Sequence, residues 1–181
     1  MKIEVMHPNV IVYGIRQEKG DEDYGSCLWG EFIFDRDSGQ LNINSDAGDY
    51  AYRWGYDEDE EFMHLMARID KAYLLNKISD RSIFDDDKSK KENIKYLKQY
   101  GIPQGIVKNG KRLSEIVNEI NDIEYGCSEE YFIREMEEIP EFDYESIEVV
   151  KEYPTGAITI TDIFEKYIQP KIREKWGGKH D

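Results

Sequence analysis

The spacing of apolar residues changes near Gly55. Before it, the chain reads as short strands, the last two alternating with a period of two; after it, apolar positions recur every three to four residues. Asn9–Arg16 is rich in β-branched residues and predicts a first strand. Both its faces are apolar or aromatic, which places it at the centre of a sheet or under a helix. Cys27–Asp35 predicts a second strand. Leu41 and Ile43 alternate with Asn42 and Asn44 in a third strand with one wet face. Tyr50, Tyr52 and Trp54 alternate with Ala51 and Arg53 in a fourth. The later connections are short and carry Gly39 and Gly48, so the four strands are expected to form an antiparallel meander.

Helical spacing follows. Asp57 with Glu60 reads as a capping-box start, and Phe62, Leu65, Met66, Ile69, Tyr73 and Asn76 form one stripe, predicting a long helix to about Ile78. Residues 79–89 read as a polar interruption. A basic helix is expected over Lys90–Tyr100, with Ile94 and Leu97 inward, then turns at 101–105 and 109–110. Leu113, Ile116, Val117 and Ile120 mark a helix over 113–123. Ser128 caps another, with Phe132 and Met136 inward, ending before Pro140. Residues 147–153 suit a strand or a helical turn equally. Pro154-Thr155-Gly156 reads as a turn. Thr161 is expected to cap a last helix with Ile163, Phe164, Tyr167 and Ile168 inward, kinked at Pro170 and anchored by Trp176. Gly177–Asp181 reads as a frayed tail. The predicted class is α+β: a four-stranded antiparallel meander packed on a long helix over 1–80, then a mostly helical part over 81–181, packed on the first as one compact domain.

Composition changes the picture in one respect, which is charge. The 181 residues carry a net −15, unevenly placed. Residues 88–112 hold eight bases (Lys88, Lys90, Lys91, Lys95, Lys98, Lys108, Lys111, Arg112) and one acid, Glu92, between two acidic regions. A net acidic chain repels phosphate, which disfavours general nucleic-acid binding. The N-terminus lacks the apolar core of a signal peptide, and no apolar run is long enough for a membrane span. Two cysteines, Cys27 and Cys127, are too few for a disulfide scaffold, so the expected location is the reducing host-cell cytoplasm.

No catalytic signature stands out, and the reading leans away from an enzyme. His7, His64 and His180 have no metal-site spacing, and phosphate-binding glycine loops are missing. Asp85-x-Asp87-x-Ser89 echoes half of a calcium loop, but Lys90 and Tyr96 occupy the positions that need glycine and glutamate. No cofactor or metal is expected.

Two resemblances arise. Ile94-x-x-Leu97-x-x-Tyr100-Gly101-Ile102-Pro103-x-Gly105 is similar to the first half of the two-helix SAP modules, which implies DNA binding. Ser45-Asp46-x-Gly48-x-Tyr50-x-Tyr52-x-Trp54-Gly55, followed by Phe62 and Tyr73-Leu74-Leu75-x-Lys77-Ile78, resembles a pattern in small uncharacterised phage and prophage proteins. That resemblance covers roughly residues 24–80 and implies an accessory protein of a mobile element. It brings no catalytic residues.

The favoured expectation is a non-enzymatic protein that binds a basic host protein or nucleoprotein complex. It would act as a DNA mimic against a host defence system, such as a CRISPR nuclease, through Asp21, Glu22, Asp23, Asp57, Glu58, Asp59, Glu60, Glu129, Glu130, Glu137 and Glu138. One alternative is an enzyme with its site near Asp46, Asp49, Tyr50, Tyr52 and Arg53. The other is a DNA-binding module using Lys95, Lys98, Lys108, Lys111 and Arg112. No membrane partner is expected, and a homodimer is left open.

Overall fold

The computed structural model describes residues 1–5, 7–55, 59–101 and 111–178. The expected capping box at Asp57 and the turns at 102–105 and 109–110 lie outside the described residues. The chain divides into two compact units: residues 1–80 with 153–181, and residues 81–152. Residues 153–178, which the sequence groups with the helical part, therefore belong with the sheet.

In the first unit, β1 (Val10–Arg16), β2 (Trp29–Asp35), β3 (Gln40–Ser45) and β4 (Tyr50–Arg53) form an antiparallel meander in the order β1-β2-β3-β4. The period-two pattern sorts the faces: Phe32, Phe34, Leu41 and Ile43 are fully buried on one side. Helices α1 (Asp59–Arg68), α2 (Lys71–Ile78), α6 (Thr155–Ile163) and α7 (Gln169–Trp176) supply the opposing layer, through Phe62, Met66, Leu74, Ile160 and Ile172. The architecture is α+β, as the apolar spacing predicts.

Four expectations change in this unit. β1 is an edge strand rather than a central one, with Val10 and Val12 45% and 51% exposed. The long helix is two: it breaks after Arg68, and Asp70 caps α2 by accepting from the Tyr73 amide. The rotation across that break turns Leu74, Leu75 and Ile78 inward and leaves Tyr73 exposed. Pro154-Thr155-Gly156 opens α6 rather than forming a turn, so Thr161 lies inside the helix. Its buried hydroxyl donates to the carbonyls of Ala157 and Ile158. A π-helical turn over Phe164–Ile168 joins α6 to α7, with Pro170 in the first turn of α7 and Tyr167 turned outward.

The second unit contains β5 (Ile83–Phe84), α3 (Asp86–Tyr96), α4 (Leu113–Asp122), α5 (Glu129–Glu137) and β6 (Lys151–Glu152). Its core is built on Leu97, Ile116, Ile120, Phe132 and Met136. The polar stretch 79–89 holds β5 and the start of α3, where the Asp85 carboxylate accepts from the Lys88 amide. The acidic run at 85–87 is thus a helix cap and first turn. Ser128 caps α5 by accepting from the Tyr131 amide. Within 147–153, only Lys151–Glu152 form a strand, paired antiparallel with Ile83–Phe84.

Candidate interaction surface

The polar groups at Ser45–Gly55 hold the turn itself. The Asp46 carboxylate accepts from the Cys27 thiol (3.1 Å), the Leu28 amide (3.0 Å) and the Trp29 amide (3.4 Å). The thiol bond holds the Asp46 carboxyl below its usual value, and the backbone amides add to this. Burial, with Asp46 beside it, pushes the Cys27 thiol up to about 11. Asp49 accepts from the Ser45 amide, the Tyr50 hydroxyl donates to the Ala47 carbonyl, and Arg53 Nε donates to the Ser38 carbonyl.

The first acidic cluster, in the β1–β2 loop, is partly neutralised. Lys166 Nζ lies 2.8 Å from both Glu22 and Asp23, and the Tyr167 hydroxyl donates to Asp23. The Lys166 bond lowers the Asp23 carboxyl, and the same contacts raise the lysine. The Asp21 carboxylate accepts from the Glu18 amide. Asp57 and Glu58 lie outside the described residues, and Asp59 and Glu60 open α1.

The basic segment is also partly spent. Lys88 bridges Asp85 and Glu152, Lys95 pairs with Glu92, and Lys111 pairs with Glu119. The Lys90 ammonium is buried and donates to the Ile123 carbonyl just past the end of α4. Arg112 is the N-cap residue of α4, and its amide donates to the Glu115 carboxylate. Lys108 lies outside the described residues. Lys91, Lys95 and Lys98 share an open groove of about 560 Å³ with Ile94 and Gln99.

Acid concentrates in the remainder of this unit. Residues 113–150 carry thirteen acids and one base, Arg134. Glu130, Glu137 and Glu138 are exposed on and just past α5, whose buried face is Phe132 and Met136. Glu129 pairs with Lys151 at 2.8 Å. That pair rims a hollow of about 290 Å³ that also holds Ile133, Tyr144, Ile147 and Val149. Tyr144 sits on a 3₁₀ turn (Tyr144–Ser146) closed by reciprocal Asp143–Ser146 bonds, and it is 69% exposed. An exposed aromatic ring and aliphatic side chains thus lie together beside the Glu129–Lys151 pair. Glu129, Glu130, Glu137 and Glu138 are legible as acids in sequence. Tyr144 and its aliphatic neighbours are not, although Asp143-x-x-Ser146 is a local sign of the turn that carries the ring.

Among the described residues, no group of three or more His, Cys, Asp or Glu side chains is placed to hold a metal ion, and no helix is long and apolar enough to cross a membrane. A family model described as a phage family, Phage_phiTE_072, matches residues 3–174. No curated protein and no solved structure matches the chain.

Proposed function

Given that the chain belongs to this phage family, we propose that it is a non-enzymatic accessory protein that binds a basic host protein or nucleoprotein complex. The contact is made by the acidic segment 113–150, standing where DNA phosphates otherwise bind. The observation that carries this reading is the hollow beside α5, where Tyr144 and the aliphatic side chains of Ile133, Ile147 and Val149 meet the Glu129–Lys151 pair, which a partner's cation would have to exchange into. Lysine and arginine of a partner suit such a surface, because their stems are apolar and their heads cationic. An exposed aromatic beside a hollow supplies the anchor that charge alone does not. Glu130, Glu137 and Glu138 add long-range attraction, which speeds encounter with a cationic groove. A nucleic-acid-binding defence complex of the host, such as a CRISPR nuclease, fits that description, and the host cytoplasm is where the two would meet.

The test is capture from host lysate on immobilised chain at low and high salt, with duplex DNA as competitor. Mimicry requires a captured DNA-binding protein that both salt and DNA release. It also requires loss of capture in Glu130→Lys/Glu137→Lys/Glu138→Lys and in Tyr144→Ala. Capture indifferent to DNA and to charge reversal overturns it.

A second reading rests on the groove of Lys91, Lys95 and Lys98, whose cations suit phosphate. A gel shift on duplex DNA that disappears in Lys95→Glu/Lys98→Glu/Lys111→Glu supports nucleic-acid binding. No shift with the unmodified chain removes it. The enzymatic alternative at Asp46 and Asp49 has less support, because those carboxylates already serve backbone amides and the Cys27 thiol.

A further inference from the structure

Edge strands in stable monomers are usually blunted by lysine, proline, a bulge or a covering segment, because their backbone groups otherwise recruit another strand. Among the described residues, β1 has none of these devices. It pairs with β2 along its whole length, from Val10 opposite Asp35 to Arg16 opposite Trp29. The flanking bonds, Arg36 amide to Asn9 carbonyl and Gln17 amide to Leu28 carbonyl, show that odd-numbered residues face β2. By alternation, the amides and carbonyls of Val10, Val12, Gly14 and Arg16 point to the open side. Arg16 is the one charged residue in the strand.

We infer that this edge is a self-association surface, on which β1 of a second copy pairs antiparallel about a two-fold axis at Tyr13. The register of β1 against itself suits a second copy. With the axis at Tyr13, Val10 faces Arg16 of the partner copy and Val12 faces its Gly14. This register pairs all four open residues of both strands, giving about eight backbone hydrogen bonds. It also sets a large side chain beside a small one: Val12 is half exposed, and a Cβ on Gly14 meets nothing within 4 Å. On the core side, Ile11 of one copy comes opposite Ile15 of the other. Ile15 lines a hollow of about 350 Å³ whose apolar wall is Ile163 and Tyr167 and whose rim is Arg16, Asp21 and Glu22, and that wall would receive the side chain. Two sheets become one of eight strands, in which both β1 edges are paired and β4 forms each end. The isologous geometry closes the assembly at two copies.

The full chain is examined by sedimentation equilibrium over a range of concentrations, and the expected species has twice the 21.4 kDa chain mass. Val12→Lys, at an exposed site, is expected to give a monomer with an unchanged circular-dichroism spectrum. Register is read by oxidation: Val12→Cys/Gly14→Cys crosslinks into a covalent dimer, whereas Val12→Cys alone does not, since it faces Gly14. Amide exchange at Val12 and Gly14 is expected to slow as concentration rises. A monomer at every concentration, or a dimer that survives Val12→Lys and gives no crosslink, overturns the inference. So does β1 protection that appears only when a peptide of another protein is added.

Discussion

The carbonyl oxygen of Ala47 lies 2.0 Å from where a Cβ on Gly156 would sit. The first turn of α6 is thereby seated directly on the β3–β4 turn, and only glycine permits the approach. The same carbonyl accepts from the Tyr50 hydroxyl, 3.1 Å away, so one backbone group joins turn, strand and helix. Gly156→Ala should therefore destabilise the chain by about 1–3 kcal/mol, the usual cost of overpacking. Helix propensity alone would stabilise it by up to ~1 kcal/mol. Urea unfolding checks the sign, and Gly14→Ala, with open space at its Cβ, should be nearly neutral.

Gln169 does for the break between α1 and α2 what a helix cap cannot. Its buried amide donates to the carbonyls of Met66 (3.1 Å) and Ile69 (2.6 Å), and its Oε1 accepts from Arg173. Gln169→Leu keeps much of the volume but leaves those acceptors without their donor. A buried unsatisfied polar group costs about 1–3 kcal/mol. The denaturant midpoint should fall accordingly, with no change in slope.

Asp23, Asp46 and Asp85 are all held below the ordinary carboxylate value of 3.8, each chiefly by a hydrogen bond to its charged form. A carboxyl lowered in the folded state binds its proton more readily when unfolded. Its contribution is therefore fully present above 3.8 and is lost as pH falls below that value. Unfolding midpoints measured from pH 6 downward should hold and then decline below about 4. Asp46→Asn should make that decline shallower while lowering the midpoint at pH 6. An unchanged acid limb would sink the assignment.

Cys27 is buried, with its thiol pushed to about 11, whereas Cys127 is partly exposed. Thiolate is the reactive form, so Cys27 should resist alkylation at pH 8 and Cys127 should label alone. Mass spectrometry of the native chain should find one modified cysteine, and of the unfolded chain two.

Among the elements, legibility followed locality. The alternation of Leu41 and Ile43 with Asn42 and Asn44, and the cap at Ser128, depend on neighbours in the chain and are found where the sequence predicts them. Residues 147–153 depend on distant ones. Asn93 donates to the Glu148 carbonyl and accepts its amide, while the Ser89 hydroxyl accepts from the Val150 amide. α3 thus satisfies that segment's backbone as a neighbouring strand would, and no local pattern encodes it. β1 misleads for a related reason: valines at 10 and 12 imply burial by their chemistry, yet nothing in the described structure covers them.

The candidate surface divides in the same way. Acid content over 113–150 is a property of composition and is read directly. Which acids are already matched by a cation is not, because Lys166 reaches Glu22 and Asp23 across more than 140 positions. The sequence by itself determined the α+β class, the meander and the charge segregation, since each follows from residue type and short-range spacing. Tertiary structure alone decided that α6 sits on the Asp46–Asp49 turn, that β1 is an edge, and that Tyr144 meets aliphatic neighbours beside an acid. These depend on close approach between residues far apart in the chain, and periodicity carries no information about that.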